Sequence, residues 1–186
     1  MCGILAYFNR NGISEKELKQ SLQSLQKIKH RGPDGEGVVL INSKTGNFYN
    51  LITADTPNAI LENKITLNDV AGLEFDLILG HRRLSIIDVS TNGHQPMHFV
   101  NKNWIVFNGE IYNYIELREE LKLSGYTFKT ESDTEVIHAA YQQWGSKCVE
   151  KFNGMFTIVL FDSKNKNLFV ANDRYGVKPA YYINDS

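Results

Sequence analysis

Apolar residues fall in short runs along this chain, and their spacing switches between the periods of strand and helix. Residues 2–9, CGILAYFN, are a short and nearly continuous apolar run closed by the turn cluster NRNG, which predicts a buried strand. From Ser14 the period changes. Leu18, Leu22, Leu25 and Ile28 recur at helical spacing, Ser14 and Glu17 stand as a capping box, and Lys27, Lys29 and His30 lie at the C-terminal end. Gly32 and Pro33 then stop the helix. Strand character returns at 37–41 (GVVLI) and across 75–89 (FDLILGHRRLSIIDV), where it flanks a charged patch. Residues 42–76 carry no strong period. NSKTGN predicts a hairpin turn and ADTPNAILENK a surface excursion, so this stretch is expected to be an insertion.

The second half reads more plainly. TNGHQPM is a loop, and NWIVFNGEIYNY is a strand running into a polar turn. IELREELKLSG is a short helix closed by Gly125; SDTEVIHAAYQQWG is another, with a capping box from Ser132 and Glu135 and Gly145 at its end. MFTIVLFD and LFVAND are strands joined by the polar turn SKNKN, and AYYI (180–183) is expected to be a last short strand. Strands and helices do not alternate regularly, which disfavours a doubly wound parallel sheet and points to a layered α+β fold. There is no internal repeat, no G-x-G-x-x-G and no Walker A loop, so nothing signals a nucleotide site.

Composition narrows the function classes. A length of 186 residues fits one domain, and 42% hydrophobic with 22% charged residues allows an ordinary core. The formal net charge of −1 leaves no basic excess for a phosphate backbone, so nucleic acid is not an expected partner. No apolar run approaches the roughly 18 residues of a membrane span, and the N-terminus lacks a signal-peptide pattern. Cys2 and Cys148 are the only cysteines, which excludes a disulfide framework and makes a reducing cytoplasm the expected compartment.

Few side chains invite chemistry. His94 and His98 have i,i+4 spacing, but Pro96 between them argues against a helix, and no metal site is expected. His138 reads as an ordinary helix residue and Cys148 as structural. A cysteine among apolar residues is usually a small core hydrophobe too, but Cys2 follows the initiator methionine. Removal of Met1 would put a thiol and a free α-amine on one residue. The amine titrates at about 7.7–8.0 and the thiol at about 8.5 in model compounds, so the amine can serve as base for its own side chain without a histidine. Asn108 and Gly109 offer a side-chain amide and a backbone N–H side by side after a strand, as an oxyanion hole needs; an Asn-Gly pair is otherwise a common hairpin turn. Arg82 and Arg83 point to opposite faces of a strand, so one can be solvated while the other reaches inward to a carboxylate. Asp133, behind the N-cap Ser132, either compensates the helix dipole or faces a substrate ammonium.

Taken together, MCGI, HRGPDGEG, GHRRLSIID, NGEIYNY, SDTEVI, FNGMFTIVLFD and DRYGVKPAYY occur in an order that covers nearly the whole chain. The chain resembles the N-terminal glutaminase domain of glutamine-dependent asparagine synthetases, which are class II glutamine amidotransferases. The resemblance implies an N-terminal-nucleophile hydrolase fold, an α+β four-layer αββα sandwich of two antiparallel sheets between helices, spanning residues 1–186. It implies hydrolysis of L-glutamine to glutamate and ammonia through a thioester on Cys2, with the α-amine as base and Asn108 and Gly109 as oxyanion hole. Arg83 would hold the glutamine α-carboxylate, the backbone of Leu84, Ser85, Ile86 and Ile87 would line the pocket, and Glu110 and Asp133 would hold the α-ammonium.

The resemblance also implies that Arg31 and Asp34 of HRGPD are structural or gating, and that DRYGVKP packs beneath the site. In that family ammonia passes through a tunnel to a C-terminal ATP-dependent synthetase domain. No S-G-G-x-D-S loop occurs here, so that domain is expected to be absent from this chain. No cofactor is then expected in this domain, ATP and Mg belonging to the synthetase domain, and a homodimer is one option. The long 42–76 stretch is similar to variants associated with surface-polysaccharide gene clusters, which leaves another ammonia acceptor open. A non-catalytic glutamine-binding regulatory domain is the third reading.

Overall fold

A computed structural model describes the chain except residues 1, 58–61, 86–92, 100–102 and 185–186. Strand β1 (Gly3–Phe8) leads into helix α1 (Glu15–Lys27). The predicted capping box forms: the Ser14 Oγ accepts from the Glu17 N–H at 3.3 Å, and the Glu17 carboxylate takes the Ser14 N–H at 2.8 Å. The same carboxylate accepts from Tyr7 Oη and Asn9 Nδ2, which ties the start of the helix to the end of β1. These donors hold Glu17 at a pKa of about 2.

Strands β2 (Gly35–Ile41), β3 (Phe48–Leu51), β4 (Lys64–Ile65) and β5 (Leu77–Arg83) join β1 in one sheet, ordered β1-β5-β2-β3-β4. Strands β6 (Met97–His98), β7 (Trp104–Ile111), β8 (Gly154–Asp162) and β9 (Asn167–Asn172) form the second, in sequence order. Helices α2 (Tyr114–Leu123), α3 (Asp133–Trp144) and the short α4 (Cys148–Lys151) follow β7. No helix among the described residues is long and apolar enough to cross a membrane.

Period-two alternation assigns each side chain to a layer. Val38, Leu40 and Ile78 face α1, packing with Leu18 and Leu25. Val39, Ile41, Leu77 and Leu79 face the other way and meet Trp104, Val106, Val159 and Phe161 of the second sheet. Ile105, Phe107, Phe156, Ile158 and Leu160 point outward again, onto Leu117, Leu121, Val136, Ile137 and Ala140 of α2 and α3. Three apolar cores between four layers are the expected αββα sandwich.

Four local expectations change. The 42–76 stretch does turn at NSKTGN, but it also supplies β3 and β4 to the sheet and buries Leu51, Val70 and Phe75 against α1. Strand β4 pairs with β3 in parallel, so this sheet is mixed rather than wholly antiparallel. The Glu135 carboxylate does not close a box on Ser132; it caps the Lys129 and Thr130 N–H groups instead. Finally, AYYI forms no strand: no described strand lies beside it, and Tyr181, Tyr182 and Ile183 stand about nine-tenths exposed.

Among the described residues Arg82 is the largest fully buried side chain, at 1% exposure. It faces the α1 layer, where its Nη1 donates to Asp55 Oδ2 at 2.7 Å, its Nη2 meets Glu36 and Gln26 Oε1, and its Nε reaches the Leu25 carbonyl at 3.3 Å. Lys29 and Arg82 together hold the Asp55 carboxyl below its usual range. A buried pair broken on one side leaves an uncompensated ion, at a cost of about 3–5 kcal/mol. Glu36→Ala should therefore destabilise the fold strongly in urea titration. Glu131→Ala, which removes a 92%-exposed partner of Arg118, should change little. Equal effects would contradict the assignment of Arg82 as the buried keystone.

Candidate active site

The face that builds the inter-sheet core becomes polar at one end. In β5 the inward series Leu77, Leu79 continues as His81 and Arg83; in β7, Trp104 and Val106 continue as Asn108 and Glu110. In β1, Ile4 packs in the same core, and Cys2 stands two residues earlier, just ahead of the strand. Here the sheets enclose a cavity of about 180 Å³ whose walls include Cys2, Arg83, Leu84, Ser85, Asn108, Gly109, Glu110 and Asp133. Ile86 and Ile87 lie outside the described residues. The two arginines divide as the alternation requires. Arg82 goes to the helix layer with its own anions, and Arg83 goes to the pocket.

Cys2 is half-buried and free of disulfide. The Leu84 N–H donates to its Sγ at 3.4 Å, and the thiol lies 3.7 Å from the Leu84 carbonyl. Its own carbonyl accepts from Arg31 Nε at 3.3 Å. The HRGPD loop then braces the next strand. Asp34 takes the Ser85 N–H at 2.8 Å and donates its own N–H to the Arg83 carbonyl at 3.0 Å. Gly32 is required by contact, since a Cβ there would lie 2.4 Å from the Arg82 carbonyl oxygen. The geometry thus gives this loop a bracing part around Cys2 and Arg83.

Asn108 and Gly109 are not a hairpin turn. They sit inside β7, opposite Thr157 and Phe156 of β8, rather than after the strand. Alternation along the strand turns every second N–H away from β8. The Phe107 N–H goes to Gln95 Oε1 at 2.7 Å, and the Ile111 N–H to Asp133 Oδ2 at 3.1 Å. Gly109 lies between them on the same edge, so its N–H faces the pocket beside the Asn108 side chain. Phe156 confirms this direction: its N–H and carbonyl bond Asp173 and not Gly109. A Cβ at Gly109 would lie 2.1 Å from the Met155 carbonyl oxygen, so only glycine fits there.

Electrostatics separates the two ends of the pocket. Burial pushes the Asp133 carboxyl up to about 6, and the neighbouring Glu110 charge adds to it. Two carboxyls facing one space favour a bound cation. His81, fully buried, and His94 are both pushed down, to about 3 and about 4, mainly by burial and further by Arg83. Both are neutral imidazoles at neutral pH. Cys148 is buried in the α2–α3 core and burial raises its thiol to about 11, in keeping with a structural part.

Two further wall residues, Gln95 and His81, were not among the candidates the sequence pointed to. Gln95 bridges β7 to α3, its amide nitrogen 3.4 Å from Thr134 Oγ1, yet a lone amide before Pro96 has no pattern that predicts this. His81 follows the alternation of β5 and was readable from it. The DRYGVKP loop is more than packing. Asp173 gathers the N–H groups of Phe156, Tyr175, Val177 and Lys178, and this knot sets the buried Lys178 in the pocket wall.

Comparison with known proteins identifies the family. Residues 69–186 match the family model described as a glutamine amidotransferase domain. Asparagine synthetase [glutamine-hydrolyzing] 1 of Bacillus subtilis is 39% identical over 190 residues, covering 100% of this chain and 25% of the relative. A putative asparagine synthetase [glutamine-hydrolyzing] 2 of Methanocaldococcus jannaschii is 36% identical over 100% of this chain and 32% of its own length. The chain thus spans about a quarter to a third of these relatives. Among solved structures, an allosteric regulatory enzyme of purine biosynthesis superposes with a TM-score of 0.70 over 95% of this chain and 38% of its own, at 18% identity. The glutamine phosphoribosylpyrophosphate amidotransferase from B. subtilis superposes at 0.64 over 92% of this chain and 36% of its own, also at 18%. The chain belongs to the glutamine amidotransferase domain family.

Proposed function

We propose that this pocket hydrolyses L-glutamine to glutamate and ammonia, with Cys2 as nucleophile. The observation that carries the reading is the meeting of Cys2, the inward edge of Gly109 and the charge pair of Arg83 against Glu110 and Asp133 in one cavity. Removal of Met1 frees the α-amine of Cys2, which takes the thiol proton, directly or through a water. The sulfur attacks the carbonyl carbon (Cδ) of the side-chain carboxamide, and the Asn108 amide and Gly109 N–H receive the oxyanion. The protonated α-amine returns its proton to the departing nitrogen, ammonia leaves, and a thioester remains. Water activated by the same amine then cleaves the thioester and restores the thiol. Arg83 takes the α-carboxylate bidentately while Glu110 and Asp133 take the α-ammonium, a pattern that selects a free amino acid over a peptide.

The longer relatives are named as asparagine synthetases that hydrolyse glutamine. We infer that the ammonia made here serves the same kind of amidation, in a cytoplasmic protein whose ATP- and Mg-dependent step lies in a synthetase domain. The names of these relatives support this acceptor over a polysaccharide precursor.

Intact mass and ammonia release on one sample test the chemistry. Loss of one methionine should accompany glutamate and ammonia formation, and Cys2→Ala should abolish both. A processed chain that binds glutamine and never turns it over would contradict the reading.

The Asp133 shift gives a second test. Its carboxyl is neutral in the empty pocket below about 6 and ionised above it. A bound ammonium favours the ionised form, so affinity is full above that pH and is lost as pH falls. In Cys2→Ala protein the glutamine Kd should rise about tenfold between pH 7 and pH 5. Asp133→Asn should bind weakly with little pH dependence over this range. A Kd that stays flat with Asp133 intact would remove it from the ammonium site.

A further inference from the structure

One edge of β7 is partnered in two different ways. At Ile105 it pairs with Met97 of β6 in the antiparallel ladder. The same register sets Gln95 opposite Phe107, but β6 begins only at Met97, and Pro96 has no N–H to carry the ladder further. The Gln95 side chain takes over, its Oε1 accepting the Phe107 N–H at 2.7 Å. At Ile111 the acceptor is again a side chain, Asp133 Oδ2 at 3.1 Å. Gly109 lies between these two caps, with its N–H toward the pocket.

Gln95 is itself held from three sides. It is 6% exposed and forms part of the pocket wall. A Cβ at Gly37 of β2 would lie 2.0 Å from its carbonyl oxygen, so its backbone is seated on the first sheet. Since Oε1 has to face the Phe107 N–H, the amide nitrogen is the group that reaches Thr134 Oγ1, at 3.4 Å. Thr134 follows Asp133 in the first turn of α3. One buried amide therefore ties the strand that carries Gly109 to the helix that carries Asp133. In the glutaminase reading these groups hold opposite ends of the substrate, Gly109 the oxyanion and Asp133 the ammonium.

We propose that Gln95 is a positioning residue that aims the Gly109 N–H at the oxyanion and sets its span from the ammonium site. This rests on the glutaminase reading of the pocket and adds a residue to it. Gln95 acts through Phe107 and Thr134. An oxyanion donor is most effective when its direction is fixed before the charge develops. Arg83 and Glu110 grip the amino-acid end without passing through Gln95. Loss of the brace is thus felt in turnover more than in binding.

Glutamine hydrolysis by the processed chain, with the glutamine Kd measured in the Cys2→Ala background, tests the assignment. Gln95→Met keeps the length of the side chain and removes the acceptor. Its kcat should fall about tenfold to a hundredfold, while Kd changes by less than about threefold. Gln95→Glu, whose carboxyl keeps an oxygen for the Phe107 N–H in either protonation state, should recover most of kcat. An unchanged kcat in Gln95→Met overturns the proposal. So does a Kd that rises as far as kcat falls, or an equal loss in both variants. If Gln95→Met does not fold, amide exchange in Cys2→Ala protein decides. The Phe107 N–H should then exchange slowly with and without glutamine, and the Gly109 N–H should slow only when glutamine is bound. Fast exchange at Phe107, or a Gly109 N–H indifferent to glutamine, overturns the proposal. If the unaltered processed chain does not hydrolyse glutamine, the glutaminase reading fails and this proposal with it; if it does and Gln95→Met matches it, only Gln95 loses its part.

Discussion

A guanidinium removed from water has to find anions, and much of this fold is arranged around that requirement at Arg82. Its two carboxylates come from β2 and from the 42–76 excursion, and its carbonyl partner from the last turn of α1. One side chain thus pins three distant segments to β5. The same requirement decides the strand's orientation. With Arg82 committed to the helix layer, its neighbour Arg83 must face the gap between the sheets. A one-residue slip of β5 would carry Arg82 inward and strip Glu36 and Asp55 of their cation, so the register is held electrostatically as well as by packing.

This explains which parts of the molecule were legible beforehand. Strand and helix existence followed from apolar period, because residues such as Leu77, Leu79, Val38 and Leu40 carry no information besides the face they occupy. Caps at Ser14, Gly125 and Gly145 were local chemistry and were local in fact. Asp55 was not legible, since its meaning lies in a partner 27 positions away. AYYI has strand composition, but a strand also needs a neighbour, and no composition supplies one. Glu135 shows the same limit at short range. Two cap geometries were available to one carboxylate, and the preceding loop took it.

The pocket shows a comparable division. The residues carried by the resemblance, Cys2, Arg83, Asn108, Gly109, Glu110 and Asp133, meet in one cavity, although none of the pairwise distances was implied by sequence. What sequence reasoning lacked was the support between them. Gln95 and Asp133 cap the N–H groups two residues before and two residues after Gly109. Those caps come from different elements, and Gln95 also reaches Thr134 at the start of α3. The orientation of the Gly109 donor is therefore set jointly by the 93–97 segment, β7 and the α3 N-terminus.

Gly109 also bears on how such a site can change over generations. Any side chain at this position meets the Met155 carbonyl within the neighbouring strand, so replacement has to break the β7–β8 ladder before it touches chemistry. Arg83, Glu110 and Asp133 carry no such backbone constraint at their side-chain tips. In the proposed mechanism, recognition of the amino-acid end is then open to drift by single substitutions, while the hydrogen-bond donor at the reacting end is locked to the scaffold. A lineage built on this sheet could acquire a new substrate preference long before it could acquire a new way of holding the transition state.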